Sequence, residues 1–203
     1  MPEPSFLGGR FPPHRIIAGW LGSAGSARLL AYALAAEAQF APTRLAQEGT
    51  GRLETLTRKS SVLKDLGAFA GPLRRKALAL QSELEADFEM AHTPPNSTQI
   101  ELVAHGDGAF YRPHTDTFTG DQYTPGGRRR LTMVYYFHRE PRRFTGGRLR
   151  IFDLGGGETI DVEPVHDSLL VFPSTARHEV ELVSCPDGEF SDGRFAVNIW
   201  LCG

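Results

Sequence analysis

A histidine and an aspartate stand two residues apart at His114 and Asp116. On an extended segment, residues two apart project to the same side, so one imidazole and one carboxylate would converge. Such a pair can bind a metal ion, although a His-x-Asp dipeptide also occurs by chance on protein surfaces. A metal site would therefore need a further ligand from elsewhere in the chain.

His178 is the candidate for that further ligand. It opens a run in which apolar and acidic residues alternate, which predicts a strand with His178, Val180 and Leu182 on one face. A histidine on an apolar face is either a satisfied core residue or a metal ligand. Two histidines and one carboxylate leave coordination positions open, a set typical of iron(II) oxygen chemistry, whereas structural zinc prefers four N or S ligands. The three residues together predict a catalytic iron centre.

Arg194 is the candidate for an anion site. It begins a predicted strand face that also carries Ala196, Asn198 and Trp200. A buried guanidinium is costly unless it meets an anion, and its shape matches a carboxylate. No acidic residue lies on that strand face, so an incoming carboxylate would supply the missing charge. The alternative is an exposed arginine that pairs with Asp192 or with solvent.

The elements that would position these residues change in character halfway along the chain. Before Pro94, apolar residues recur every three or four positions, which predicts helices at Ser26–Phe40 and Pro72–Met90. After it, short runs rich in β-branched and aromatic residues are separated by Gly, Pro and Asp turns. These runs are Gln99–Ala104, Leu131–His138, Arg148–Phe152, Thr159–Val162, Ser168–Phe172, His178–Val183 and Phe195–Leu201. The pattern predicts a mainly β, α+β fold, a double-stranded β-helix (jelly roll) with N-terminal supporting helices.

Length and composition fit a single domain over residues 1–203, with mostly helical support in 1–95 and the jelly-roll core in 96–203. The chain is 40% hydrophobic and 23% charged, and its net charge of −2 gives no general attraction to nucleic acid. Cys185 and Cys202 match neither a disulfide framework nor a zinc motif. Neither a secretory signal nor a membrane span is visible, so we expect a cytoplasmic protein without a membrane partner.

Taken together, these residues resemble the iron(II)/2-oxoglutarate-dependent dioxygenases of the prolyl hydroxylase type, and in pattern the oxygen-sensing prolyl hydroxylases. The resemblance runs from Ile100 to Leu201, about half of the chain. Besides the three candidate iron ligands, it includes Leu131–Phe137, Gly146–Phe152, Glu163 and Pro164 ahead of Leu169–Phe172, His178–Val180, and Arg194 with Trp200.

The resemblance implies that His114, Asp116 and His178 bind Fe(II). It also implies that Arg194 and the Tyr136 hydroxyl hold the distal carboxylate of 2-oxoglutarate. Thr132, on the same face as Tyr136, is a further candidate contact for this co-substrate. The implied reaction consumes O₂, hydroxylates a C–H bond and releases succinate and CO₂, with ascorbate as a supporting reductant.

For the substrate, the resemblance implies a prolyl residue of a protein or peptide. Tyr111 and Trp200 match positions that line the substrate and metal pocket. Arg129, in a basic region near the expected pocket mouth, is a further candidate substrate contact. The segment Thr117–Arg129 is rich in glycine and follows Asp116 directly, which suits a loop that closes over substrate.

Two features depart from the family pattern. His105 stands where the family often has a tyrosine, about nine residues before the first iron ligand. The interval from His178 to Arg194 is also longer than usual, and the excess falls in the turn Cys185–Gly193, where added length is tolerated.

Other functions stay open from the sequence. The chain could hydroxylate a free amino acid or another small molecule, or it could be a non-catalytic jelly-roll module for binding or sensing. Nucleic-acid demethylases of this kind typically carry a second arginine soon after the co-substrate arginine. None follows Arg194, so nucleic acid is not the expected partner.

Overall fold

The computed structural model describes residues 9–43, 57–94, 97–117 and 127–203. In these ranges the helices are α1 (Ser23–Ala35), α2 (Ala70–Leu78) and α3 (Gln81–Asp87), with short 3-10 turns at Glu37–Gln39, Gly67–Phe69 and Phe190–Asp192. The strands are β1 (Arg15–Ala18), β2 (Ala41–Pro42), β3 (Arg58–Lys59), β4 (Ser61–Leu63), β5 (Ser97–His105), β6 (Phe110–His114), β7 (Arg129–Phe137), β8 (Thr145–Gly146), β9 (Leu149–Phe152), β10 (Thr159–Val162), β11 (Ser168–Pro173), β12 (His178–Val180), β13 (Val183–Ser184) and β14 (Arg194–Cys202).

Most of these strands form two open antiparallel sheets. The major sheet has the order β1-β11-β7-β14-β5-β4-β2, and the minor sheet has the order β10-β9-β12-β6-β3. Strands β8 and β13 form a separate pair. The arrangement confirms the predicted double-stranded β-helix with supporting helices.

The alternation of side chains along β14 explains why the major sheet has two different faces. Phe195, Val197, Ile199 and Leu201 point to one side, where they pack with the apolar faces of the helices in a large buried cluster. Ala196 points to the other side, into a smaller cluster between the two sheets. Arg194, Asn198 and Trp200 share this inner face, which is where the candidate site lies.

The helical predictions were partly right. Helix α1 covers the first part of Ser26–Phe40, but it begins earlier and gives way to a 3-10 turn. The predicted helix Pro72–Met90 is two helices, because the Leu80 N–H bonds to the Ala77 carbonyl in a tighter turn. The residues spaced three or four apart still form an apolar face, since Leu73, Ala77, Leu84 and Phe88 are buried and Leu80 is partly buried.

The predicted strand His178–Val183 is the clearest error in the strand assignments. Strand β12 ends at Val180, and Leu182 is 61% exposed instead of sharing a buried face with His178. The Glu181 N–H bonds to the Arg148 carbonyl and the chain then turns into β13, so the alternation does not continue. The other predicted strands are present with small differences at their ends.

The N-terminal part also supplies strands that the sequence did not predict. Strand β1 pairs with β11, β4 pairs with β5, and β3 pairs with β6, so both sheets receive strands from it.

Two predictions concern residues outside the described ranges. Residues 118–126 of the predicted loop Thr117–Arg129 lie outside them, and so do residues 1–8, where a secretory signal would begin. In the part of the chain that is described, no helix is long and apolar enough to cross a membrane.

Candidate active site

The candidate iron ligands come together through the pairing of two strands of the minor sheet. His114 ends β6 and His178 begins β12, and these two residues are direct cross-strand partners. Asp116 follows two residues later, where its backbone N–H donates to the Ser174 carbonyl at 3.0 Å. The adjoining Thr117 N–H donates to the same carbonyl. Ser174 therefore fixes the chain at the point where the carboxylate turns toward the two histidines.

The three side chains form a group that can hold a metal ion. One ligand atom from each of His114, Asp116 and His178 lies within 4.8 Å of the others. Nε2 of His114 is 3.5 Å from Oδ1 of Asp116, and Nε2 of His178 is 3.8 Å from Oδ2. Three ligands on one side leave the remaining coordination positions open for reacting molecules.

Backbone contacts select the imidazole nitrogen that faces this group. Nδ1 of His114 donates to the Arg112 carbonyl at 2.8 Å, and Nδ1 of His178 donates to the Ala176 carbonyl at 2.9 Å. A carbonyl oxygen can only accept, so the proton is on Nδ1 and the lone pair is on Nε2. Burial also lowers the pKa of His178 to about 4, which keeps this ring neutral at ordinary pH.

Asp116 is held as a carboxylate. Its burial alone would raise its pKa, but His178, His114 and the Trp200 N–H outweigh burial and hold the pKa well below the usual range. Oδ2 accepts hydrogen bonds from the Thr132 hydroxyl at 2.8 Å and from Trp200 Nε1 at 2.9 Å. The Thr132 hydroxyl also contacts the Ser174 hydroxyl at 2.9 Å.

Aromatic rings and arginines surround the ligand group. The Tyr111 ring stacks on His114 with centroids 3.5 Å apart, and Phe172 packs edge-on against His178. The Arg129 guanidinium lies 3.7 Å above the Trp200 ring. Tyr111, Trp200 and Arg129, the three predicted substrate contacts, all line the same cavity as the ligand group, and that cavity has a volume of about 540 Å³.

Arg194 also lines this cavity and is one of the most deeply buried side chains of the protein, at 1% exposure. Its burial lowers its pKa, while burial raises the pKa of Tyr136 to about 12. The guanidinium lies 4.9 Å from the Tyr136 ring centre. Within the described ranges, Arg194 Nε and the Tyr136 hydroxyl are both buried without a hydrogen-bond partner. Unpaired buried polar atoms are costly, so these two need a ligand.

Comparison with known proteins identifies the family. A family model of the 2OG-Fe(II) oxygenase superfamily matches residues 100–202, just over half of the chain. The chain belongs to this superfamily. The family name implies Fe(II), 2-oxoglutarate and O₂ as the cofactors, in agreement with the prediction.

Two kinds of relative resemble this oxygenase in sequence. An uncharacterized PKHD-type hydroxylase of Synechocystis is 34% identical over 154 residues, which cover 71% of this chain and 50% of that protein. Human Egl nine homolog 1 is 34% identical over 98 residues, 47% of this chain and 20% of that protein. This oxygenase thus spans half or less of the length of these relatives.

Solved structures share its fold. A prolyl-4-hydroxylase of Pseudomonas putida superposes with a TM-score of 0.66 at 24% identity, covering 94% of this chain and 92% of that one. A prolyl hydroxylase of Trichoplax adhaerens, solved with a hypoxia-inducible factor peptide, gives a TM-score of 0.70 at 20% identity, with coverages of 93% and 83%.

The site of this oxygenase has side chains suited to Fe(II) and to 2-oxoglutarate, the two groups in the family's name. Two imidazole nitrogens and one carboxylate are a suitable donor set for Fe(II). A buried cation whose Nε lacks a partner, beside an unpaired Tyr136 hydroxyl, suits one end of a dicarboxylate. The donor set and Arg194 line one cavity, and Tyr136, which is not among the lining residues, lies beside Arg194.

Three contributors to the site were not predicted. Ser174 was not among the predicted site residues, although its carbonyl accepts from the Asp116 N–H and its hydroxyl contacts Thr132. His105 was noted as a departure, but its contact with Arg194 was not foreseen. Gly147 was predicted only as part of the segment Gly146–Phe152 that carries the resemblance, although a Cβ there would lie 2.8 Å from Arg194 Cδ. Only the Gly146-Gly147 pair gave a usable signal, since adjacent glycines indicate a close backbone approach.

Proposed function

We propose that this oxygenase hydroxylates a prolyl residue of a protein or peptide, with release of succinate and CO₂. The observation that carries the proposal is that three converging iron-type ligands and a buried, partly unpaired guanidinium line one cavity. The prolyl substrate is supported by the names of the relatives, which include a PKHD-type hydroxylase and prolyl hydroxylases.

In this proposal His114, Asp116 and His178 hold Fe(II). When bound, Fe(II) with 2-oxoglutarate supplies O₂ activation and oxygen transfer to a C–H bond. The protein presents the Nε2 lone pairs by fixing both Nδ1 protons on backbone carbonyls. Thr132 and Trp200 orient the carboxylate by donating to Oδ2.

Arg194 and Tyr136 are proposed to hold the distal carboxylate of 2-oxoglutarate. A carboxylate there would neutralise the buried cation and would offer acceptors to Arg194 Nε and the Tyr136 hydroxyl. Thr132 was predicted to assist this contact. Since its hydroxyl is engaged with Asp116 and Ser174, we propose that its role is to orient the iron ligand.

The substrate is proposed to enter over Tyr111, Trp200 and Arg129. The two aromatic rings carry apolar surface suited to a pyrrolidine ring, and each also contacts an iron ligand. Arg129 stacks on Trp200 and can meet carbonyl or acidic groups of a peptide.

Mass spectrometry of reaction mixtures tests the proposal. The enzyme is incubated with Fe(II), ascorbate, 2-oxoglutarate and a proteome-derived peptide library, and prolyl residues that gain one oxygen atom are identified. His178→Ala serves as the matched control. Succinate release on free proline or another small molecule, without any hydroxylated peptide, would replace the proposal with a small-metabolite hydroxylase.

The cytoplasm is the proposed compartment. Cys185 and Cys202 are both buried free thiols, which is usual in a reducing environment.

A further inference from the structure

His105 and Arg194 lie side by side at the ends of two neighbouring strands of the major sheet. His105 is the last residue of β5 and Arg194 is the first residue of β14, and they are direct cross-strand partners. Both side chains are buried, with exposures of 4% and 1%. Cross-strand partners project to the same face, so the imidazole and the guanidinium meet on the inner side of the sheet.

The contact between them has a fixed direction. Arg194 Nη1 lies 3.1 Å from His105 Nδ1. A guanidinium only donates, so Nδ1 accepts the hydrogen bond and the ring proton is on Nε2. Burial, followed by the charges of Arg194 and Arg58, lowers the pKa of His105 well below its usual value, which keeps the ring a neutral acceptor.

This hydrogen bond restrains a side chain that few other groups hold. Among the described residues, Arg194 Nε has no hydrogen-bond partner. Burial lowers the pKa of Arg194, and the neighbouring Tyr136 side chain raises it. The stem of Arg194 passes over Gly147, where an added Cβ would lie 2.8 Å from Cδ. The stem is thus confined by packing, and the bond to His105 fixes one edge of the guanidinium, which also lies 4.9 Å from the Tyr136 ring centre.

We propose that His105 is a positioning residue for the co-substrate, because its Nδ1 holds the Arg194 guanidinium in the orientation that receives the distal carboxylate of 2-oxoglutarate. The inference rests on the proposed role of Arg194. A guanidinium that is already oriented loses less conformational entropy when the carboxylate arrives, so affinity rises without a direct contact to the ligand.

The same geometry explains what a histidine does at a position where the family often has tyrosine. The acceptor Nδ1 lies close to the backbone, within reach of an arginine on the adjacent strand. A tyrosine hydroxyl at this position would stand farther from the backbone than Nδ1 does. His105 therefore acts on the co-substrate through Arg194.

Two substitutions separate the hydrogen bond from packing. His105→Leu removes the acceptor while keeping an apolar side chain of moderate size. His105→Asn places an amide oxygen near the position of Nδ1 and can accept from Arg194. Binding of 2-oxoglutarate is measured by calorimetry on protein loaded with Mn(II), so that no turnover occurs. Each variant is also titrated with 2-oxobutanoate, a 2-oxo acid that lacks the distal carboxylate.

We expect His105→Leu to weaken 2-oxoglutarate binding about tenfold, the loss typical of one hydrogen bond to a charged group. Binding of 2-oxobutanoate should stay unchanged in both variants, and His105→Asn should restore most of the 2-oxoglutarate affinity. Equal loss of both 2-oxo acids in His105→Leu would overturn the inference, and so would undiminished 2-oxoglutarate binding or an Asn variant as weak as Leu.

A parallel titration of Arg194→Leu distinguishes this inference from the proposed co-substrate site. If Arg194→Leu binds 2-oxoglutarate as tightly as the unaltered enzyme, the assigned role of Arg194 fails. If Arg194→Leu is weak and His105→Leu is not, only the role of His105 fails.

Discussion

Trp200 donates its indole N–H to Oδ2 of Asp116 at 2.9 Å, across 84 residues of sequence. Trp200 lies on β14 of the major sheet, whereas Asp116 follows β6 of the minor sheet. The hydrogen bond therefore joins the two sheets at the candidate iron ligand. With the Thr132 hydroxyl on the same oxygen, it fixes the carboxylate before any metal binds.

Trp200→Phe should weaken metal binding. The substitution keeps an aromatic ring in place but removes one of the two donors to Asp116 Oδ2, and loss of such a supporting contact typically costs about 10-fold to 100-fold in metal affinity. The dissociation constant for Mn(II) or Fe(II), measured by calorimetry under anaerobic conditions, checks the prediction.

Trp20→Phe is a matched control for that substitution. The Trp20 side chain is also buried, but its Nε1 has no hydrogen-bond partner among the described residues, and it packs in the cluster beside the helices. We expect its metal affinity to equal that of the unaltered enzyme. Equal losses of metal affinity in the two variants would mean that the Asp116 contact is not the cause.

Gly147→Ala should impair 2-oxoglutarate binding more than metal binding. The new Cβ would lie 2.8 Å from Arg194 Cδ and 2.9 Å from Val183 Cγ2, so the Arg194 stem must move. Titration of the Mn(II)-loaded variant with 2-oxoglutarate measures the effect, and we expect a loss of about tenfold or more, as for one displaced charge-assisted hydrogen bond.

Gly188→Ala controls for backbone strain in that experiment. Gly147 and Gly188 have similar positive φ angles, 69° and 70°, but a Cβ at Gly188 would meet nothing within 4 Å. Both variants should lose similar stability from the left-handed conformation. Only Gly147→Ala should lose 2-oxoglutarate affinity, and a loss in Gly188→Ala would attribute the effect to strain alone.

His178→Ala should abolish metal-dependent turnover while the fold persists. The His178 ring supplies one of the three ligand atoms, and its removal leaves a gap next to Phe172 and His114. Such truncations cost about 1–3 kcal/mol, less than the stability of a typical domain.

Circular dichroism and succinate release test that prediction together. His14→Ala is the control, because His14 also contacts a backbone carbonyl but does not line the cavity. The control should keep full turnover. Residual turnover in His178→Ala near that of the unaltered enzyme would contradict the ligand assignment.

The sequence predicted the elements whose pattern is local. Runs of apolar, β-branched and aromatic residues marked β7, β11 and β14, and each strand is long enough for one face to pack with the helices. Strands β2 and β3 have two residues each, too short to carry a period, and their partners are distant in sequence. Leu182 was misassigned because a small buried cluster containing Val183 ends the alternation there.

The candidate site was predictable residue by residue but not contact by contact. The types and spacing of His114, Asp116 and His178 pointed to metal binding before any fold was known. The contact of His105 with Arg194 depends on the register of β5 against β14, which the sequence does not reveal for residues 89 positions apart. The contact of Thr132 with Asp116 likewise could not be predicted without knowing how far apart the two sheets lie.

Buried neutral histidines should make the metal-free protein sensitive to acid. Burial lowers the pKa of His178 to about 4 and also lowers the pKa of His105 and His138. Unfolded histidines bind protons below about pH 6.5. The contribution of these neutral rings to the free energy of unfolding is thus complete above that pH. It is lost as the pH falls from 6.5 toward the pKa values of the folded protein.

Urea unfolding of chelator-treated protein at pH 7.5 and pH 5.5 measures this dependence. The free energy of unfolding should fall by about 1 kcal/mol between these pH values for a histidine like His178. One pKa unit corresponds to about 1.4 kcal/mol, and the unfolded state is mostly protonated at the lower pH. His105→Asn removes one titrating ring and should reduce the pH dependence by a similar amount. A free energy of unfolding that is constant over this range, or the same pH dependence in His105→Asn, would mean that these rings bind protons in the folded protein.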